Sequence, residues 1–302
     1  MQLKKFIKIF LPRKLFESIR VAFYPEKINV LEDRLRSIFL TQYSDLNAVD
    51  NGQKTLFRNS EFKVYSKHGG DGILAFIFSK IGTTNRTFIE IGVEDGTECN
   101  TANLSLNFGW NGLMIDANDK WVAAARSLFS SKLGEKATKV KIVNSFINAE
   151  NINQAFTMAG IKGDIDLLSI DIDSNDYWVW KSVSVVNPRV VVMEYNSAFG
   201  LNSFTIRYDP DFHYQKSYQK SPLYFGASLS AINKLAKEKG YTLVACDLHG
   251  HDAFFVRKDI ATGIFKESSP EEAFYVNPYT LDKFGAAEKQ FDLIKHLGIE
   301  RI

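Results

Sequence analysis

The chain has 302 residues, with 37 Lys+Arg against 35 Asp+Glu and a formal charge of +2, so it carries no global footprint of a nucleic-acid binder. Apolar residues make up 45% and charged residues 24%, which excludes a disordered, collagenous or disulfide-scaffold chain. The length allows one large domain with appendages or two small ones.

Residues 1–60 read as a helical N-terminal extension. Leu3, Phe6, Ile7, Phe10 and Leu11 repeat at helical spacing among Lys4, Lys5 and Lys8, and Pro12 interrupts the run. Such a basic, apolar segment suits peripheral contact with an anionic membrane through residues 1–20. It suits equally an amphipathic helix packed on its own domain or on a twin subunit, as in a homodimer. Leu31, Leu35, Ile38 and Phe39 mark a second helix. Asp45–Ser60 reads as a polar linker with a turn at Asp50-Asn51-Gly52. No window approaches the roughly 18 apolar residues that span a bilayer, and the N-terminus lacks the apolar core and cleavage site of a signal peptide. Cys99 and Cys246 stand far apart and in no C-x-x-C pair, which points away from a thiolate zinc site and towards a reducing compartment. The expected location is cytoplasmic.

Residues 61–258 alternate apolar runs with helical stretches. The runs are Thr87–Ile91, Gly112–Ile115, Val140–Val143, Ile165–Ile170, Arg189–Met193, Tyr241–Ala245 and Ala253–Val256. The first five have the Val/Ile/Leu content of strands buried on both faces. Trp121–Leu133, Ala149–Ala159 and Ser228–Lys239 read as helices between them, with Gly240 as a C-terminal stop. The rhythm predicts an α/β fold, a doubly wound, Rossmann-like, mostly parallel seven-stranded sheet. A short His/Gly turn makes the last two runs an antiparallel edge hairpin. Residues 259–302 read as a helical tail, opened by Ser269-Pro270-Glu271-Glu272 and docked through Phe291, Ile294 and Leu297.

Doubly wound sheets bind ligands at the carboxyl ends of their strands. The first strand runs into Glu90-Ile91-Gly92-Val93-Glu94-Asp95-Gly96. Glycines let such a turn approach a ligand closely, although a tight strand-to-helix turn needs them equally. The G-x-G-x-x-G of dinucleotide sites is absent. The acids Glu94 and Asp95 would repel a pyrophosphate and favour a cationic or uncharged ligand. Asp116 ends the second strand, where a carboxylate receives two ribose hydroxyls in nucleotide folds or caps the next helix. Asn144 and Ser145 follow the third strand, Asp171 and Asp173 the fourth, and Glu194-Tyr195-Asn196 the fifth.

Glu90-x-Gly92-x-x-x-Gly96, then Asp116, then Asp171/Asp173, resembles the motif order of class I S-adenosylmethionine-dependent methyltransferases. It is most similar to FkbM-type methyltransferases and methyltransferase-like proteins of bacterial surface-polysaccharide loci. Their Ser-x-x-Gly-x-Asp helix start is matched by Ser66-Lys67-His68-Gly69-Gly70-Asp71, and the resemblance covers about residues 65–257. Glu94 departs from it, standing where many class I enzymes have a middle glycine. The resemblance implies S-adenosylmethionine as cofactor. Glu90, Gly92 and Gly96 would line its methionine end, Asp116 its ribose, and Asn144 or Ser145 its adenine, with Asp171 beside them. It also implies O-methylation of a small-molecule or glycan acceptor, a sugar hydroxyl in a nucleotide-sugar or lipid-linked intermediate of polysaccharide biosynthesis.

Deprotonating a hydroxyl requires an acceptor within hydrogen-bond reach. Asp173 is the first candidate, then Glu194, with loop or cap bonding as the alternative role for both. His213 lies on an insertion that would form an acceptor wall. His249 and His251, in the hairpin turn, read as surface histidines, and Tyr177, Trp178 and Trp180 as sugar-stacking or helix-packing residues. Asp171, Glu194 and Asn196 form an alternative, divalent-metal reading. Asp171 and Asn196 resemble in placement the ligands of catechol-type O-methyltransferases. Tyr195 stands where those enzymes have an acid and Glu194 is one residue off, so metal is not the favoured reading. Two rivals remain: a non-catalytic methyltransferase-like scaffold, and a nicotinamide oxidoreductase suggested by Tyr177-x-x-x-Lys181.

Overall fold

The computed structural model describes residues 52–212 and 221–302. The helices expected before residue 51, the membrane-facing segment among them, and His213 lie outside the described residues. Nine strands are described: β1 Thr87–Ile91, β2 Asn111–Asp116, β3 Val140–Asn144, β4 Gly163–Ile170, β5 Val186–Glu194, β6 Phe204–Ile206, β7 Tyr241–Cys246, β8 Asp252–Arg257 and β9 Ile299–Arg301. Seven of them form one sheet in the order β3-β2-β1-β4-β5-β8-β7. The pairs from β3 through to β5 are parallel, while β8 runs antiparallel to both β5 and β7. This is the doubly wound, Rossmann-like sheet with an edge hairpin that the apolar runs predict.

The strands alternate between two covered faces, apart from a bulge in β7 between Leu243 and Ala245. Ile89, Leu113, Leu168, Val191 and Phe255 point to one side, where they pack with Phe156, Trp180 and Ile232. Those three belong to helices α5 (Ile152–Met158), α6 (Asp176–Ser182) and α7 (Leu229–Glu238), which follow α1 (Gln53–Ser60), α2 (Gly70–Ile81), α3 (Ala102–Phe108) and α4 (Asp119–Leu133). Glu90, one residue from Ile89, must face the opposite side. There the α2 residues Ile73, Leu74, Phe76 and Ile77 are fully buried.

The start of α2 follows from its sequence. Asp71 Oδ2 accepts the backbone N–H groups of Val64, Tyr65 and Ser66 at 2.7–2.8 Å, and Asp71 N donates to Ser66 Oγ at 3.0 Å. The Ser66/Asp71 pair thus folds the preceding turn onto the helix start.

Two readings are corrected. The segment ending at Ser60, read as a linker, holds α1 over Gln53–Ser60. Phe57 meets Phe76 edge-on at 5.1 Å, and the Gln53 amide bonds to Lys266 N and O at 2.7 Å, clipping α1 beside β7. A hydrogen-bonded amide leaves no trace in hydrophobic periodicity, which explains the misreading. The tail carries short helices but ends in a strand. β9 pairs with β6, Thr205 opposite Glu300. Ile294, Phe291 and Leu297 do dock, in a second core with Phe199, Ile206 and Leu223. Ser269 and Glu272 form a complete capping box, and Cys99 and Cys246 are free, buried thiols. Among the described residues no helix is long and apolar enough to cross a membrane.

One buried ion pair locks the α2–β1 connection to the sheet. Asp166 of β4 is fully buried and accepts Thr84 N, Asn85 N and Arg86 N, plus Arg189 Nη1 at 2.9 Å. Arg189 of β5 also donates to the carbonyls of Ile81 and Gly82 at 2.7 Å. Burial alone would raise the Asp166 pKa, but the Arg189 hydrogen bond and the backbone donors hold it below the usual carboxylate range. Removing one member of such a pair strands the other charge in a dry interior. Asp166→Asn is therefore expected to lose about 3 kcal/mol in urea denaturation. Because the folded pKa is depressed, the wild-type contribution is present above the ordinary aspartate pKa and is lost as pH falls through the folded value. The difference between wild type and Asp166→Asn should accordingly narrow on acidification.

Candidate functional site

Traced outward from β1, the chain order turns at the β1/β4 boundary, the switch point where doubly wound folds bind ligands. There β1 leaves the sheet through Gly92, whose φ is +84°. A Cβ on Gly92 would lie 1.5 Å from the Asp171 carbonyl oxygen, so no other residue fits. Gly92 N donates to Ile115 O at 2.8 Å and Asp171 N to Ile91 O at 3.0 Å, stitching the ends of β1, β2 and β4 together.

Glu94 has a φ of +48°, the left-handed conformation that a middle glycine would supply without strain. Its N–H donates to Asp116 Oδ2 at 2.9 Å, which offsets part of that strain, and Asn118 N donates to Asp116 Oδ1 at 2.8 Å. Each Asp116 oxygen thus has one backbone donor and retains acceptor capacity. Beside them opens a cavity of about 720 Å³, lined among others by Glu94, Asp116, Trp121, Ser145, Asp171 and Asp173. That volume suits a nucleoside-sized ligand.

Glu90 is placed differently from its expected role. Its carboxylate is fully buried away from this cavity and accepts Asn100 N at 2.8 Å, Thr101 N at 2.9 Å and the Thr101 hydroxyl. Burial pushes its pKa up to about 7 against the pull of these donors. It anchors the far end of the 92–101 loop at the start of α3 and is not among the residues that line the cavity, where it was expected.

Acids crowd the strand ends beside the cavity. Asp173, with a φ of +52°, is raised to about 7 by burial and then by Asp171 and Asp176. Asp176 is raised to about 6, chiefly by burial, although it accepts Ile172 N at 2.8 Å. Glu194, 4% exposed, is driven well above its usual range by burial and by Asp171, Asp173 and Asp176.

Two cationic side chains face these acids. Burial lowers the Lys67 pKa, but Asp171, Glu194, Asp173 and Glu94 outweigh it and raise it. The Lys67 ammonium stands 3.4 Å from His251 Nε2. His251 is buried between two acids, Nε2 3.2 Å from Glu194 Oε1 and Nδ1 3.5 Å from Asp252 Oδ1. Burial opposes its protonation, yet the Asp252 carboxylate beside Nδ1 and the charge of Asp171 push its pKa up to about 9.

The hairpin turn explains why His251 is inside. Asp247 accepts His249 N, His251 N and Asp252 N, drawing the turn back over the sheet. His251, read as a surface turn histidine, is therefore corrected to a buried one. His249 is exposed and stacks on His68 at 4.5 Å.

The remaining candidates divide. Gly92, Asp116, Ser145, Asp171 and Asp173 all meet at the cavity. Gly96 has a φ of +79° and turns the loop against Phe129. Asn144 is exposed and its amide donates to Asp116 O at 3.1 Å, so Ser145 alone of that pair faces the cavity. Asn196, the proposed third metal ligand, is committed elsewhere: its amide nitrogen donates to Leu223 O and Phe225 O, and its oxygen accepts Ala198 N. Tyr177 and Trp180 are core residues, while Trp178 is half-buried and donates to Ile206 O. Lys67 and Trp121 were not singled out from sequence as site residues, and His251 was read only as a surface residue. The run Asp247-x-x-x-His251-Asp252, an imidazole bracketed by acids, is the signal that marks the last.

Gly92→Ala is expected to cost about 3 kcal/mol or more, since its methyl cannot coexist with the Asp171 carbonyl. Thermal denaturation would measure the loss. An alanine variant of wild-type stability would refute the close approach.

No family model matches the chain, and no curated protein matches it in sequence. Solved structures similar to it include an O-methyltransferase from Bacillus cereus in complex with S-adenosylhomocysteine, at 15% identity over 79% of this chain and 94% of that one, with a TM-score of 0.38. Another is an S-adenosylmethionine-dependent methyltransferase from Clostridium acetobutylicum, at 15% identity over 60% and 87%, with a TM-score of 0.37. A third is the mitomycin 7-O-methyltransferase MmcR, at 14% identity over 62% of this chain but only 56% of that one, with a TM-score of 0.34. At this degree of likeness, the strand order of the chain itself defines its fold.

Proposed function

We propose that the protein is an S-adenosylmethionine-dependent methyltransferase acting on a hydroxyl group, with a sugar or glycan intermediate as the acceptor class. The observation that carries this reading is the Glu90 carboxylate at the start of α3, bonded to Asn100 N and Thr101 N. In a dinucleotide fold the N-terminus of this first crossover helix receives the pyrophosphate. Here a protein carboxylate occupies it, and the adjoining cavity is rimmed by Glu94, Asp116, Asp171 and Asp173. Lys67 and Lys120 also line the cavity, but the acids outnumber them, so a nucleoside bearing positive charge is favoured over a pyrophosphate.

The donor set fits S-adenosylmethionine, which when bound supplies an electrophilic methyl group on a sulfonium. Asp116 accepts two ribose hydroxyls with the acceptor capacity its backbone donors leave free. Ser145 and Trp121 border the adenine end. Asp171 and Glu94 balance the positive charge of the methionine end. Asp173, held between burial and neighbouring acids, takes the proton of the acceptor hydroxyl. As the O–CH₃ bond forms the S–CH₃ bond breaks, and the electron pair stays on sulfur to give a neutral thioether. Positioning in line is the larger part of such catalysis. The sugar class of the acceptor follows from the motif order resembling FkbM-type proteins.

Calorimetry should detect binding of S-adenosylmethionine and S-adenosylhomocysteine and none of NAD(P). Asp116→Ala should weaken both nucleosides about 10–100-fold, or roughly 1.4–2.8 kcal/mol. Binding of NAD(P) alone would overturn the proposal. Labelled S-adenosylmethionine offered with nucleotide-sugars and lipid-linked glycans then tests the acceptor. Tight cofactor binding with no transfer to any of them would favour a non-catalytic scaffold.

A further inference from the structure

Away from the strand ends, α1 and the 266–275 segment enclose a second cavity against β7, the edge strand of the sheet. It measures about 180 Å³ and shares no lining residue with the first. Hydrogen bonds pin its walls. The Gln53 amide ties α1 to Val244 O and Lys266 O, and Ser268 N donates to Leu243 O at 2.9 Å. The gap is thus built into the fold, as small-molecule sites usually are.

Its floor is apolar, made by Phe57, Val244, Leu248 and the Tyr275 ring, while Lys54, Arg58 and Lys266 bring three positive charges to it. Lys54 is engaged: its ammonium donates to Glu272 O and lies over the Tyr275 ring at 4.8 Å. The other two have no good counter-charge. Glu272 closes its capping box on Ser269 N at 2.9 Å and stands 3.9 Å from Lys266 Nζ, an exposed pair of little strength. Arg58 has neither a hydrogen bond nor an ion pair among the described residues. Glu61, the remaining acid, accepts Leu248 N at 2.9 Å. Burial lifts its pKa to about 7 against the pull of that bond, with the charge of Asp247 adding to the rise, so it is only partly charged near neutrality.

These features select one kind of ligand. A cation would be repelled by Lys54, Arg58 and Lys266. An inorganic anion would leave the apolar floor uncovered. A guanidinium presents a planar fork of donors that matches a carboxylate with two parallel hydrogen bonds, and the floor favours a hydrocarbon body beside it.

We propose that this cavity is a second ligand site, which takes a small organic carboxylate with its apolar body against Phe57, Val244 and Leu248 and its charge towards Arg58 and Lys266. The site does not depend on the methyltransferase reading. It backs onto the hairpin that carries His251: Glu61 holds Leu248 N, and a Cβ on Gly250 would lie 2.5 Å from Tyr275 O. Two walls of the cavity therefore brace that hairpin from the side away from the acidic strand ends.

Calorimetric titration of the full chain with benzoate, set against the neutral benzamide of similar shape, tests the site. One benzoate per chain is expected, bound at least tenfold more tightly than benzamide. Arg58→Ala should weaken benzoate at least tenfold and leave benzamide unchanged. Saturating S-adenosylhomocysteine should not displace benzoate. The proposal is overturned by no saturable benzoate binding, by equal affinity for benzamide, by undiminished binding in Arg58→Ala, or by displacement with S-adenosylhomocysteine. If Arg58→Ala fails to fold, Lys266→Ala, also exposed, decides in its place. Loss of this site would leave the proposed function standing, since that is read from S-adenosylmethionine binding in the other cavity.

Discussion

The site depends on how closely β1 and β4 approach each other at their carboxyl ends. The Asp171 carbonyl occupies the volume that any side chain at residue 92 would need. That contact sets the direction in which both chains leave the sheet. It turns the 92–101 loop over the end of β2, so that Glu94 N reaches Asp116. It also directs Asp171 and Asp173 to the cavity rather than into the layer of helices. Glu90 then fixes the far end of the loop to the start of α3 from beneath the sheet. A glycine, a buried carboxylate and three backbone hydrogen bonds therefore shape a pocket whose walls come from segments distant in sequence.

Within that frame electrostatics decides what the pocket accepts. Asp171 and the acids around it help burial to raise the pKa values of Asp173, Asp176 and Glu194, as like charges do in a shared low-dielectric space. Lys67 and His251 are the nearby cations, and both are held protonated by this surplus. Acids that cannot all ionise together are a standing preference for positive ligands. The same surplus makes the ligand-free site an energetic burden, which the rest of the fold must carry through pairs such as Asp166–Arg189, where charge and hydrogen bonds are fully matched.

The sheet was legible because its strands announce themselves. Parallel strands buried on both faces must be runs of Val, Ile and Leu, and Thr87–Ile91 is a strand over the span that its apolar run marks. Strand ends also follow from such runs, which is why Asp116, Asp171 and Asp173 were identifiable before their surroundings were. Side-chain direction was harder. Glu90 follows a strand residue that faces the helices, so its carboxylate turns to the opposite layer, a matter of parity that motif order does not encode. His251 was missed because the turn holding it is folded inward by Asp247 accepting three backbone N–H groups. Gln53 was missed for the same reason, its burial resting on hydrogen bonds instead of apolar contact. Hydrophobic periodicity reads layers; it does not read polar atoms that satisfy one another across long stretches of chain.

Asp171 is where the two halves of the pocket meet. Its backbone N–H belongs to the β1–β4 stitch, its carboxylate lines the cavity, and one of its oxygens is within reach of Glu194 and His251. Charge placed on either side of it is therefore felt on the other. Two cations sharing one carboxylate would ordinarily exclude each other, by several kcal/mol at contact in a medium of effective dielectric about 20. Asp173, Asp176, Glu94 and Glu194 change that balance, because each becomes easier to ionise as positive charge arrives. The excess of acids thus offsets the repulsion between a positive group in the cavity and the cations of Lys67 and His251 beside it. The acids that are unfavourable in the empty pocket are therefore the groups that would stabilise a positively charged ligand there.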